Sequence, residues 1–157
     1  MKIAIGADSV GYPLKETIKK HLIDKKHQVE DFGVNSPRQD TPYYVTANTV
    51  AQGLINKQYD RAILFCGTGM GMAIIANKHP GIYAAVCESP LAAAKSRSIN
   101  NANVLALGAF LLTDMVAKEM VDVWLKTEFT QGWDATIQEW LKNALTDIAS
   151  FEDKQFS

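Results

Sequence analysis

In the stretch Phe65-Cys66-Gly67-Thr68-Gly69-Met70-Gly71-Met72 a thiol is followed at once by glycines alternating with a hydroxyl and a methionine. The stretch closes an apolar strand-like run, residues 61–66, and opens a helix-like one that reaches residue 78. Glycine lets the backbone approach a ligand closely. Successive N–H groups at a helix N-terminus attract an anion. Three readings of the loop compete. The first is a tight strand-to-helix turn without chemistry, although the glycines around Thr68 exceed what such a turn needs. The second is a dinucleotide fingerprint, with Gly67 and Gly69 as its first glycines and Glu88 about twenty residues further on. Against it, Met72 holds the third glycine position, and the loop follows the third strand instead of the first. The third is an oxyanion cradle for chemistry through an enediolate. Cys66 then stands directly before the N–H groups, where a helix N-terminus favours the thiolate that a general base requires. Cys87 has no such setting and reads as a packed thiol.

Strand-like and helix-like segments alternate around this loop. Residues 2–6 form a short apolar strand. Residues 13–26 carry Leu14, Ile18 and Leu22 at helical spacing, with lysines at the C-terminal end, where the helix dipole favours them. Residues 28–33 form a second strand, and a turn-rich stretch at 34–42 leads to a helix bearing Val50, Ala51, Leu54 and Ile55. The run at 61–66 is almost continuously apolar, as in a strand covered on both faces. Strands are expected at 82–87 and 103–107, with a helix at 90–98 between them. Thr113 is placed to cap a helix ending near residue 126. Asp134 is placed to cap a last one presenting Ile137, Leu141, Ala144, Leu145 and Ile148. Five strands separated by helices imply a parallel sheet with helices on both faces. One domain is expected over residues 1–150, with a frayed or partner-bound tail from Phe151.

Of the 157 residues, 47% are hydrophobic, enough for a buried core. The formal charge of -1 gives no electrostatic reason to expect nucleic acid or an anionic membrane as a partner. No apolar run reaches the roughly 18–20 residues that span a bilayer. The opening strand is too soon interrupted for a signal peptide. Two cysteines without metal-ligand spacing suit free thiols in a reducing cytoplasm.

The loop is joined by further pieces: Lys2-Ile3-Ala4-Ile5-Gly6-Ala7-Asp8, Asp31-Phe32-Gly33, Asp40 with Pro42 and Tyr44, Ala76-Asn77-Lys78, and Asn100-Asn101-Ala102-Asn103-Val104-Leu105-Ala106-Leu107-Gly108. Through them the chain resembles the ribose-5-phosphate isomerase B / galactose-6-phosphate isomerase family, to about Phe129. The resemblance implies a Rossmann-like three-layer α/β/α fold, a five-stranded parallel sheet and a long C-terminal helix. It also implies a dimer with a shared active site, and no metal or organic cofactor. Cys66 would move a proton between C1 and C2 of an open-chain sugar. The amides of Gly67, Gly69 and Gly71, with Thr68, would hold the enediolate oxygen. Asp8, Ser9 and Tyr43 would bind substrate, joined by Asn100 of the neighbouring subunit.

Departures from the family pattern narrow the substrate. Asp8-Ser9-Val10-Gly11 stands for the usual Asp-His-Ala-Gly. Ile99 replaces the ring-opening histidine before Asn100, Phe110 an arginine, and Trp133 and Ile137 two more. His21 and His27 read as solvated and His79 as a turn residue, so none supplies the missing group. Loss of ring-opening machinery suits a tetrulose phosphate, which cannot close a ring. It also suits one subunit type of a heteromeric galactose-6-phosphate isomerase, or a substrate without phosphate. Arg38, Lys95 and Arg97 are the remaining cations. Arg97 is expected to face the site, two residues from Ile99, and the other two to lie on the surface. Trp140 fits the apolar face of the last helix, and Trp133 either shapes a smaller pocket or packs at an interface. The expectation is an aldose–ketose isomerase of a tetrose, pentose or hexose phosphate, homodimeric or larger. The competing class is a non-catalytic sugar-phosphate-binding paralogue or a heteromer subunit.

Overall fold

The structure is a computed structural model describing residues 1–157. Strands β1 (Lys2–Ala7), β2 (Gln28–Gly33), β3 (Arg61–Cys66), β4 (Ala84–Val86) and β5 (Val104–Gly108) alternate with helices. These are α1 (Tyr12–Asp24), α2 (Tyr43–Ile55), α3 (Met70–Ala76), α4 (Pro90–Ser98) and α5 (Asp114–Lys126), followed by α6 (Ala135–Gln155). The strands form one parallel sheet in the order β2-β1-β3-β5-β4. Because strand side chains alternate in direction, Ile3, Ile5, Ala7, Ile63, Phe65, Leu105 and Leu107 pack on one side with α1, α4 and α5. Ala4, Ala62, Leu64, Cys66 and Val104 pack on the other with α2 and α3. This is the three-layer arrangement expected, and beyond their first residues, Lys2 and Arg61, β1 and β3 carry no polar side chain because both their faces are covered.

The boundaries differ where side chains compete with the ladder. β4 is shorter than the apolar run at 82–87. Asn77 grips both the N–H and the carbonyl of Ala84, and Asn103 accepts from the Tyr83 N–H while donating to the Gly81 carbonyl. α3 stops at Ala76, leaving Lys78 in a turn. Thr113 and Asp134 cap α5 and α6 as expected, accepting from Val116 and Ile137. The tail expected from Phe151 is instead the last part of α6, and its Glu152 accepts from the Gly81 N–H and the Tyr83 hydroxyl at 3.1 and 3.2 Å. No helix is long and apolar enough to cross a membrane.

Lys15 is fully buried on α1. Its Nζ lies 2.7 Å from Asp31 Oδ1 and also donates to the Val34 carbonyl and the Asn35 side chain, tying the chain beyond β2 to α1. Asp31 takes a second ammonium, that of Lys19, at 2.7 Å. Removing Asp31 leaves the buried Lys15 ammonium only the solvent-exposed Glu16 carboxylate, 3.3 Å away, as a counter-charge. Asp31→Ala is therefore expected to destabilise the fold by about 3–5 kcal/mol, read as a lower urea midpoint at unchanged slope. Lys15→Met should cost less, because Lys19 still neutralises Asp31. Equal losses in the two variants would show that the pair is not the source of the stability.

Candidate active site

β1 and β3 end side by side, with Ala7 opposite Phe65, and β3 and β5 end with Cys66 opposite Gly108. In an open parallel sheet ligands bind beyond these carboxyl ends. Asp8 leaves β1 there. Its N–H donates to the Phe65 carbonyl, and its Oδ1 accepts from the Gly11 N–H at 2.8 Å, so the carboxylate is fixed by the turn into α1. Ser9 beside it is exposed.

Cys66 is 6% exposed, and its Sγ accepts from the Gly69 N–H at 3.1 Å. That bond requires the loop to fold back over the sulfur. It does so through Gly69, whose φ of 81° lies in the left-handed region that glycine enters without strain. The Met70 N–H turns to Thr68 Oγ1. The N–H groups of Gly67, Thr68 and Gly71 have no acceptor within the chain, whereas that of Gly69, expected among the oxyanion donors, is taken by the Cys66 sulfur. A sulfur thus lies at the edge of a row of free donors, an arrangement able to hold an oxyanion beside a base.

Aromatic rings wall the row on both sides. A Cβ on Gly67 would lie 2.6 Å from the Phe110 ring, and one on Gly71 would lie 2.7 Å from the Tyr43 ring. Phe110 is held there by its own N–H to the Gly67 carbonyl. Thus Phe110, where the resemblance leads one to look for an arginine, presents an apolar wall. The Tyr43 ring lies against the loop at Gly71.

Asn100 is not near this loop. It precedes β5, whose first residue pairs with Ala62, whereas Cys66 ends β3. At about 3.3 Å per residue Ala62 and Cys66 are separated by roughly 13 Å along β3, before the turns are added. Ile99 and Trp133 lie at the same far end, because the Thr130 N–H bonds the Ser98 carbonyl and the Trp133 N–H bonds that of Thr130. One chain therefore divides the expected site residues between opposite edges of its sheet. The largest hollow of the chain, about 500 Å³, lies between α2 and α3 against Tyr44, Asn48, Lys78 and His79, and touches neither Cys66 nor Asp8. Within one chain the loop is thus joined by Asp8, Tyr43 and Phe110 but not by Asn100.

The expectation for Arg97 is corrected. Its guanidinium is buried, donating to the carbonyls of Ala102 and Thr127 at 2.7 and 3.3 Å. Burial, with the nearby charge of Arg61, pulls its pKa down to about 10. It ties α4 to the chain beyond α5 and faces no ligand space. The reason lies in helix geometry: residues two apart do not share a face, whereas residues four apart do. Lys95, not Arg97, stands over Ile99, and the Ile99 N–H bonds the Lys95 carbonyl. The Lys95 ammonium lies 4.5 Å from the centre of the Trp133 ring.

The histidines are engaged elsewhere. His21, expected to be solvated, bonds Asp122 at 2.8 Å. His27 lies 3.4 Å from the terminal amine. His79 closes the turn after α3, as expected, and reaches Asn48 at 2.9 Å. Cys87 is buried, and burial pushes its thiol up, away from reactivity.

The family described as Ribose/Galactose Isomerase matches residues 3–140. A 4-deoxy-4-sulfo-D-erythrose isomerase of Clostridium sp. is 42% identical across 98% of this chain and 96% of its own. A D-erythrulose-4-phosphate isomerase of Pectobacterium atrosepticum is 42% identical across 86% of this chain and 89% of its own. Among solved structures, Clostridium thermocellum ribose-5-phosphate isomerase B superposes with a TM-score of 0.90 at 39% identity, covering the whole of both chains.

Proposed function

The chain belongs to the ribose/galactose isomerase family and is an aldose–ketose isomerase of the sugar-phosphate kind; we propose that its substrate is a four-carbon, open-chain sugar whose C4 carries an acidic group, phosphate or sulfonate. The Cys66 thiolate removes the proton on C2 of the aldose. The electron pair moves into an enediolate whose oxygen is held by the N–H groups of Gly67, Thr68 and Gly71, with the Thr68 hydroxyl beside it. The O2 hydroxyl proton passes to O1, the Thr68 hydroxyl lying beside them, and the proton held on sulfur returns to C1, giving the ketose with no net change of oxidation state. Asp8, Ser9 and Tyr43 hold the remaining hydroxyls, and Asn100 of a second copy completes the site. Free thiols are consistent with a reducing cytoplasm, where Cys66 stays reduced.

The observation that carries this reading is the Cys66 sulfur on Gly69 beside a row of N–H groups without acceptors. The size of the sugar follows from what the site lacks. Ile99 stands at the ring-opening position, and no histidine is free near the loop. With O4 blocked by phosphate, or C4 bonded to sulfur, a tetrose has no hydroxyl left to close a ring. Relatives named for sulfo-erythrose and erythrulose 4-phosphate support the same size. The test compares D-erythrulose 4-phosphate, 4-deoxy-4-sulfo-D-erythrulose, ribose 5-phosphate and galactose 6-phosphate in one buffer. A four-carbon substrate should exceed ribose 5-phosphate in kcat/KM by on the order of 10²-fold or more, the share of rate that a general acid for ring opening supplies. A clear win for ribose 5-phosphate would overturn the four-carbon assignment. Reaction only after a second family member is added would make this chain one half of a heteromer.

A further inference from the structure

The terminal acid of such a substrate needs a cation, and the arginines do not supply it. Arg61 donates to the carbonyls of Trp124 and Leu125, and Arg97 to those of Ala102 and Thr127, both within the fold. Arg38, in the exposed stretch between β2 and α2, rests on no aromatic ring and in no ion pair, so nothing in the chain fixes its guanidinium. Lys15 is buried against Asp31. Resting on the isomerase reading above, we propose that Lys95 is the anion-gripping residue of the composite site, offered with Asn100 to the glycine loop of a second copy.

Several observations converge on this residue. Lys95 stands one helical turn before Ile99 on the same face of α4, and Asn100 follows directly. That end of the chain carries the group expected to enter the neighbouring half-site. Lys95 forms no ion pair and no side-chain hydrogen bond within the chain, so its donors are free. Its ammonium is held 4.5 Å above the Trp133 ring. An aromatic face restrains a lysine that is otherwise mobile, without using any of its N–H groups. Trp133 is itself fixed, partly buried with its indole N–H sealed from solvent and without a partner, so the ring serves as a platform more than as a donor. A lysine on a fixed ring is a point charge without the fork geometry of arginine. It suits the three equivalent oxygens of a sulfonate or phosphate, which impose no bidentate plane.

The test uses the full-length chain with Lys95→Met and Lys95→Arg. Steady-state rates are measured with D-erythrulose 4-phosphate, with 4-deoxy-4-sulfo-D-erythrulose and with uncharged D-erythrulose. Binding of 4-phospho-D-erythronate is measured by calorimetry. Lys95→Met should raise KM for the anionic substrates by about 10- to 100-fold, the range for one hydrogen bond to a charged group. Its kcat should stay within about twofold, the signature of lost ground-state and transition-state binding alike. Turnover of D-erythrulose should not change, and Lys95→Arg, which keeps the charge over the ring but not its shape, should lose less than Lys95→Met. Whether KM rises more for the phosphate or the sulfonate identifies which acid the site is matched to. An unchanged KM, or an equal loss on the uncharged ketose, would overturn the proposal. If the wild-type chain turns over none of the sugars, the isomerase reading falls, and the calorimetry still decides for Lys95. Weakened binding to Lys95→Met then upholds an anion site, and equal binding removes it.

Discussion

Cys66→Ser is expected to lower kcat by about 10²- to 10⁴-fold, the usual contribution of a positioned general base. The reason is chemical, since serine nearly fills the space of cysteine but does not ionise near neutral pH. The Gly69 N–H now on the sulfur at 3.1 Å can bond a hydroxyl equally well, so the loop should keep its shape. Thermal unfolding of the variant should therefore match the wild type while turnover collapses. The surrounding loop offers no replacement base, because positions 70 and 72 are methionines. Asp8 is engaged through Oδ1 with Gly11 and leaves β1, not β3. A serine variant retaining more than half its activity would remove Cys66 from the chemistry. One that loses activity together with its melting transition would point to packing, since Cys66 lies in the cluster between the sheet and α2 and α3.

The central strands were legible because burial on both faces leaves no polar interruption from Ala62 to Cys66, and because Thr113 and Asp134 announce their helices through capping chemistry. The loop after β3 was legible for a similar reason, since glycine enters without strain the left-handed conformation that folds the chain over the sulfur. The misreadings arose where a long-range partner decides. The ends of β4 belong to Asn77 and Asn103, which act from other parts of the chain. The last residues of α6 are held by Gly81 and Tyr83, some seventy residues distant along the chain. Arg97 is close to Ile99 along the chain but lies on another face of α4, because the helical period and not the count of residues decides which side chains meet. The same period, applied to 95 and 99, would have pointed to Lys95. Nothing local marks Trp133 as its platform, because that contact joins α4 to the segment before α6.

Mixing two defective variants should restore activity that neither has alone. Asp8 and Cys66 lie at the carboxyl edge of the sheet and Asn100 at the opposite edge, so one chain cannot place them around one sugar. In a two-fold dimer each site then takes Cys66 from one copy and Asn100 from the other. Cys66→Ser alone disables both sites. Asn100→Ala alone weakens both, by about 10-fold or more if Asn100 hydrogen-bonds the charged intermediate. A mixed dimer concentrates both lesions in one site and leaves the second site wild type. With equal amounts and random exchange, half the dimers are mixed and half of their sites are intact. About a quarter of wild-type activity should then appear, far above the average of the parents. The experiment refolds the variants together and follows turnover, with light scattering to read the assembly. Activity no greater than that average, in a preparation shown to contain mixed dimers, would mean that each chain builds its site alone. The separation of Asn100 from Cys66 would then have to be closed within one copy, by a rearrangement of the far edge of the sheet.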